Sequence, residues 1–154
     1  MTAHPTITEL MKRHHHLCDA HLRQAEAFAR AADLAACSGA FATFRSDTLA
    51  HFAAEEEVLF PAFERSSGMS HGPTQVMRVE HRQMRELLED LAAALADGDL
   101  GGWAELVQPL GILMQQHNLK EENILYPMCD RGVAARPDFI GTLDEALHAG
   151  ASHV

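Results

Sequence analysis

The chain has 154 residues, is 47% hydrophobic, and carries 12 Lys and Arg against 22 Asp and Glu, a formal net charge of −10 at pH 7. This length suits a single domain over residues 1–154. The acidic balance excludes the basic surface that a nucleic-acid partner requires. No apolar run approaches the roughly 18–20 residues of a membrane span, so no membrane association is expected. Three widely spaced cysteines and no visible export signal favour a cytoplasmic protein.

Four long helices and a short fifth one are predicted in chain order. The first begins at a capping box formed by Thr6 and Glu9, and is expected to end near Ala36. Apolar periodicity and loop signals place the others at about residues 41–66, 74–97, 103–129 and 138–148. No segment alternates with a period of two residues, so strands are not expected. The sequence therefore predicts an all-α, up-down-up-down four-helix bundle with a short C-terminal fifth helix.

An internal repeat gives the strongest functional signal. Two segments offset by 66 positions read H-x-x-x-E-E-x-x-L-[F/Y]-P, namely residues 51–61 and 117–127. His51 and Glu55, like His117 and Glu121, are four residues apart and therefore share one helix face with apolar neighbours. A buried unpaired carboxylate costs several kcal/mol, so two of them in one core indicate a bound cation.

The first and third helices each add a histidine to the apolar face. His14 lies seven residues after Ile7, at the centre of the first apolar stripe, and His81 lies at the centre of the third. His15, about 100° round the helix from His14, remains an alternative ligand. His21, one heptad after His14, is expected to face inward as a pocket or core residue. The predicted metal ligands are His14, His51, Glu55, His81, His117 and Glu121.

Imidazole combined with carboxylate suits iron, zinc or manganese. The H-E-x-x-H motif of zinc proteases is absent. The Glu-x-x-His pattern of ferritin-type sites occurs only at Glu145 and His148. If two six-coordinate ions share both glutamates and one oxide or hydroxide, about two coordination positions stay open for a diatomic molecule.

The two repeats, with His14 upstream and Val79-Glu80-His81 between them, resemble the hemerythrin/HHE cation-binding family over about residues 6–130. The resemblance implies two non-haem iron ions with a bridging oxo or hydroxo group in a four-helix bundle. It further implies that the terminal ligands are His14, His51, His81 and His117. The bridging ligands would be Glu55 and Glu121.

Two departures bear on function. Oxygen-carrying hemerythrins have an H-x-x-x-H pair on the third helix, where this chain has Met77 and Arg85 around its single histidine. They also place an acid five residues after the fourth-helix histidine, which here is Glu122, whereas the HHE pattern uses Glu121. Both departures favour a protein that binds, senses or reacts with O₂ or NO over an oxygen carrier or a dedicated enzyme. The alternatives are repair of damaged iron centres, and iron storage or transfer.

Overall fold

The protein is all-α. The structure, a computed structural model, describes residues 4–133 and 137–149, and no strand occurs within these ranges. The helices are α1 (Ile7–Arg30), α2 (Leu34–Ala54), α3 (Phe60–Ser67), α4 (Pro73–Ala96), α5 (Leu100–Lys120), α6 (Tyr126–Gly132) and α7 (Pro137–Leu147). Two π-helical segments, Glu55–Leu59 and Glu121–Leu125, join α2 to α3 and α5 to α6 without a break. The prediction of a helical bundle is confirmed. None of the described helices has the length and apolar character to cross a membrane.

The first helix starts as predicted and ends earlier than predicted. Thr6 and Glu9 form the capping box, but α1 ends at Arg30 rather than near Ala36. Ala32 adopts a left-handed conformation with φ 57°, and the Asp33 side chain then accepts a hydrogen bond from the Ala36 N–H to begin α2. A local cap therefore decides the boundary, because it satisfies a free helix N–H group.

The two motif prolines lie beside the π-helical segments. The N–H of Phe60 bonds to the carbonyl of Glu55, and the N–H of Tyr126 bonds to that of Glu121, five residues back. The following residues are prolines, which have no N–H to continue a regular ladder. Each helix widens into a π turn at this point and continues past its proline.

Buried polar side chains lie between two apolar clusters along each long helix. One cluster contains Ile7, Phe63 and Leu143, and the other contains Phe44 and Trp103. Helix α1 packs against α2, α4 packs against α5, and α7 packs against α2. The polar layer is therefore closed off at both ends by hydrophobic packing, which lowers the local dielectric and strengthens electrostatic interactions inside it.

Candidate metal centre

The described residues contain two groups of buried side chains whose ligand atoms lie within 4.8 Å of one another. The first ligand group is Glu55, His81, His117 and Glu121, and the second ligand group is His15, His51 and Glu121. Both groups thus share Glu121. Five of the six ligands predicted from the sequence belong to these groups, and His14 lies outside both.

In the first ligand group, the converging atoms fit a cation better than they fit one another. His81 Nε2 lies 3.1 Å from Glu55 Oε1, and His117 Nε2 lies 3.3 Å from Glu121 Oε1. Yet His81 Nε2, His117 Nε2, Glu55 Oε1 and Glu121 Oε2 are all buried without a hydrogen-bond partner. Such orphaned atoms are costly, and an ion held by imidazole and carboxylate satisfies all four.

A tyrosine that the sequence analysis did not single out lies beside the second ligand group. His15 Nε2 lies 3.1 Å from Glu121 Oε1. The Tyr126 hydroxyl lies 2.7 Å from Glu55 Oε2, 2.9 Å from Glu121 Oε1 and 3.2 Å from His51 Nε2. Burial, together with Glu121 and Glu55, raises the pKa of Tyr126 well above its usual range, so its hydroxyl keeps its proton without a metal. The only sequence signal for it was the Phe/Tyr difference between the repeats.

His81 and His15 have matching surroundings. The Nδ1 of His81 lies 2.7 Å from Glu56, whose carboxylate also accepts two hydrogen bonds from Arg85 at 2.8 and 2.9 Å. The Nδ1 of His15 lies 2.7 Å from Glu122. A carboxylate on Nδ1 fixes the ring tautomer and turns Nε2 toward the ligand group. The second glutamate of each repeat therefore orients a histidine on another helix.

His117 and His51 differ in the partner of their outer nitrogen. His117 Nδ1 lies 2.8 Å from Glu80, which also accepts a hydrogen bond from Lys120. His51 Nδ1 lies 2.8 Å from the Nδ1 of His14, so one of the two neutral rings donates its N–H to the other. Burial and then the neighbouring His51 lower the pKa of His14 to about 3, so His14 is neutral. A neutral ring thus stands beside His51 where a carboxylate stands beside His117.

Applied beyond the two motifs, the repeat offset would have favoured His15, the alternative ligand, over His14. The offset of 66 positions between the two motifs also relates His15 to His81, and His14 to Glu80. Burial opposes protonation of His15 and His81, but the neighbouring carboxylates outweigh it and raise the pKa of each to about 9. At neutral pH both rings are therefore charged in the metal-free protein, and a metal ion must displace a proton from each.

A small cavity and a groove adjoin the second ligand group. The cavity has about 10 Å³ and lies against His15, His51 and Asn118. The groove has about 320 Å³, lies between α1 and α5, and shares His15, Met114 and Asn118 with the cavity. His21, expected to face inward, is partly exposed and lies 3.5 Å from Asp47, outside both ligand groups.

Comparisons with known proteins agree with this centre. The model of the hemerythrin HHE cation binding domain matches residues 6–129. The chain is also 34% identical over 95 residues to the iron-sulfur cluster repair protein YtfE of Edwardsiella ictaluri. That match covers 55% of this chain and 42% of the relative, so the chain spans less than half of the relative's length. No solved structure matches the chain. With most of its length matched, including every residue of both ligand groups, the chain belongs to the hemerythrin HHE cation-binding domain family.

Proposed function

We propose that the chain binds two non-haem iron ions, one at each ligand group, and that this centre binds or reacts with O₂ or NO. The observation that carries the proposal is that the two buried His/Glu groups share Glu121. A carboxylate common to two groups can bridge two ions, and Glu55, which contacts both groups, can be the second bridge. An oxo or hydroxo bridge between the ions completes the expected centre.

On α1, His15 is the proposed ligand. Its contacts match those of His81, with 2.7 Å to the outer carboxylate and 3.1 Å to the inner one in both cases. His14 instead supports His51 through their shared Nδ1 contact. The sequence prediction of His14 as the ligand remains open to the same test, namely the iron content of His14→Ala and His15→Ala.

The cavity beside His15 and His51 supports access for a diatomic molecule. At the first ligand group, Phe52 stacks on His81 with ring centroids 4.1 Å apart. The residue equivalent to Phe52 is Asn118, which lines both the cavity and the groove that leads outward. Asn118 is smaller than Phe52, so it leaves room at the second ligand group that the Phe52 ring fills at the first. We therefore propose that a small ligand enters beside Asn118.

The wider setting belongs to the same proposal. The four long helices are expected to run up-down-up-down, and the protein is expected to act in the cytoplasm, with no nucleic-acid or membrane partner. A binding or sensing protein is favoured over a dedicated enzyme, because no nucleophile or general base is needed for the uptake of a diatomic ligand.

Repair of damaged iron centres is the second candidate, and the similarity to an iron-sulfur cluster repair protein favours it. That role requires iron to leave the centre for another protein. Incubation of the iron-loaded chain with a damaged iron-sulfur protein measures transfer directly. Rapid transfer supports repair, whereas retention of iron with reversible binding of NO supports sensing.

The primary test is elemental analysis with Mössbauer spectroscopy on protein produced in iron-rich medium. The proposal expects about two iron atoms per chain, coupled in one centre. A single uncoupled iron, or zinc alone, contradicts it. Optical and EPR spectra of the reduced protein exposed in turn to O₂ and NO then identify the ligand. His15→Ala should lose one ion, and the matched variant His14→Ala should keep most of the iron.

A further inference from the structure

Tyr126 has more close polar neighbours than a hydroxyl can satisfy. Its oxygen lies 2.7 Å from Glu55 Oε2 and 2.9 Å from Glu121 Oε1. The Nε2 atoms of His15 and His51 are each 3.2 Å away. A phenol has one proton to donate, so it can serve only one of the two carboxylates at a time. Tyr126 is fully buried, so solvent does not relieve the close contact that remains.

The same distances suit an oxygen that binds the same metal ion as its neighbours. Two donors at right angles on one ion, with bonds of about 2.1 Å, lie about 3 Å apart. The hydroxyl is 2.9, 3.2 and 3.2 Å from the ligand atoms of Glu121, His15 and His51. It therefore lies at a ligand's distance from every member of the second ligand group.

The first ligand group has no counterpart. The residue equivalent to Tyr126 in the other repeat is Phe60, whose ring stacks on His81 with centroids 5.8 Å apart. Phe60 fills the same place without offering an oxygen. A phenol oxygen is therefore available to the second ligand group and not to the first.

We propose that Tyr126 is itself a metal ligand, bound through its phenolate oxygen to the iron at the second ligand group. This inference rests on the proposed iron centre. In the ligation step the phenol O–H bond breaks, an oxygen–iron bond forms, and the proton leaves to solvent with no change in oxidation state. The two ions then differ in their donors, with a phenolate on only one of them.

The chain contains a single tyrosine, which makes the test specific. Ferric iron bound to phenolate absorbs visible light by charge transfer, and resonance Raman excitation in that band enhances the tyrosinate ring modes. We expect these modes in the iron-loaded wild-type protein, and we expect them to shift when the protein is grown with ring-deuterated tyrosine. Because this label needs no mutation, the result does not depend on how a variant folds.

Tyr126→Phe provides the second arm. It should lose the visible band while keeping about two iron atoms per chain and the helical circular dichroism of the wild type. Wild-type protein with two iron atoms but no tyrosinate modes would overturn the inference and leave the proposed iron centre standing. Wild-type protein without iron would overturn both. A band that persists unchanged in Tyr126→Phe would also overturn the inference, because no other phenol is present.

Discussion

The two halves of the chain, before and after the α3–α4 loop, make the same contacts through equivalent residues. The Thr8 hydroxyl bonds to Asp130 at 2.6 Å, and the Thr74 hydroxyl bonds to Glu64 at 2.7 Å. Thr8 and Thr74 are related by the repeat offset of 66 positions, and so are Glu64 and Asp130. Each half therefore contacts the other through an equivalent hydrogen bond. The offset thus extends well beyond the histidine–glutamate motif to the whole helical frame.

The halves differ where the two ligand groups meet their surroundings. His14 takes the place of Glu80, so one ligand histidine is supported by a neutral ring and the other by a carboxylate. Tyr126 takes the place of Phe60. The two halves thus share one helical framework but differ in the charge and in the possible donor atoms around each ligand group. Two ions held in this frame should therefore differ in affinity.

Loss of the shared carboxylate should have the largest effect. Glu121→Ala removes a ligand from both groups and leaves Glu55 as the one ligand-group carboxylate to neutralise two cations, so iron content should fall to near zero. Metal analysis after gel filtration measures it. In the matched variant Glu122→Ala, only the support of His15 is lost, and the second ion should bind about 10–100-fold more weakly. If Glu122→Ala loses all iron and Glu121→Ala keeps it, the role assigned to Glu121 is wrong.

Substitution of the residue that contacts the Nδ1 atom of His117 or of His51 tests the difference between the halves directly. Glu80→Gln removes the carboxylate beside His117, and the affinity for one ion should fall about 10–100-fold. His14→Ala removes only a neutral ring beside His51, so its effect should be smaller. Competition with a metal chelator measures both affinities. Equal losses would mean that the charge of the outer partner does not distinguish the two ions.

The stability of the metal-free protein should depend on pH in a window set by His15 and His81. Carboxylate partners raise the folded-state pKa of both from 6.5 to about 9. Their stabilisation is therefore complete below about pH 6.5 and is lost as the pH rises toward 9. Urea unfolding of chelator-treated protein between pH 6 and 9 should show this decline. If the halves are equivalent, His15→Gln and His81→Gln should each remove a similar share of this decline, and a decline that neither substitution reduces contradicts the assignment.

The smallest expected effect concerns a turn that both halves contain. Ala32 and Gly98 are equivalent residues with φ of 57° and 71°, in the left-handed region. An L side chain there costs roughly 1 kcal/mol relative to glycine. Ala32→Gly should therefore stabilise the protein by up to about 1 kcal/mol, and Gly98→Ala should destabilise it by a similar amount. Thermal unfolding measures both, and a destabilising Ala32→Gly would show that the backbone at this turn is not strained.

Local patterns in the sequence were sufficient to predict the helices and most of the ligand groups. The capping box at Thr6 and the i, i+4 spacing of His51 and Glu55 depend on residues within one helical turn, so they can be recognised without a fold. The end of α1 was predicted too late, because the cap at Asp33 overrides the apolar pattern around it. The ligand on α1 stays a prediction, since His14 and His15 are both buried.

The sequence by itself determined the helical class, the repeat and the chemistry of its donors, because periodicity and residue type are properties of each segment alone. Only the tertiary structure decided which side-chain atoms lie within contact distance of one another. Glu121 joins both ligand groups, His14 turns to His51, and the Tyr126 hydroxyl reaches four ligand atoms. These contacts join residues up to 111 positions apart in the chain. Their distances depend on how the helices pack, and on the π turns that change which face of the helix the residues after Glu55 and Glu121 occupy.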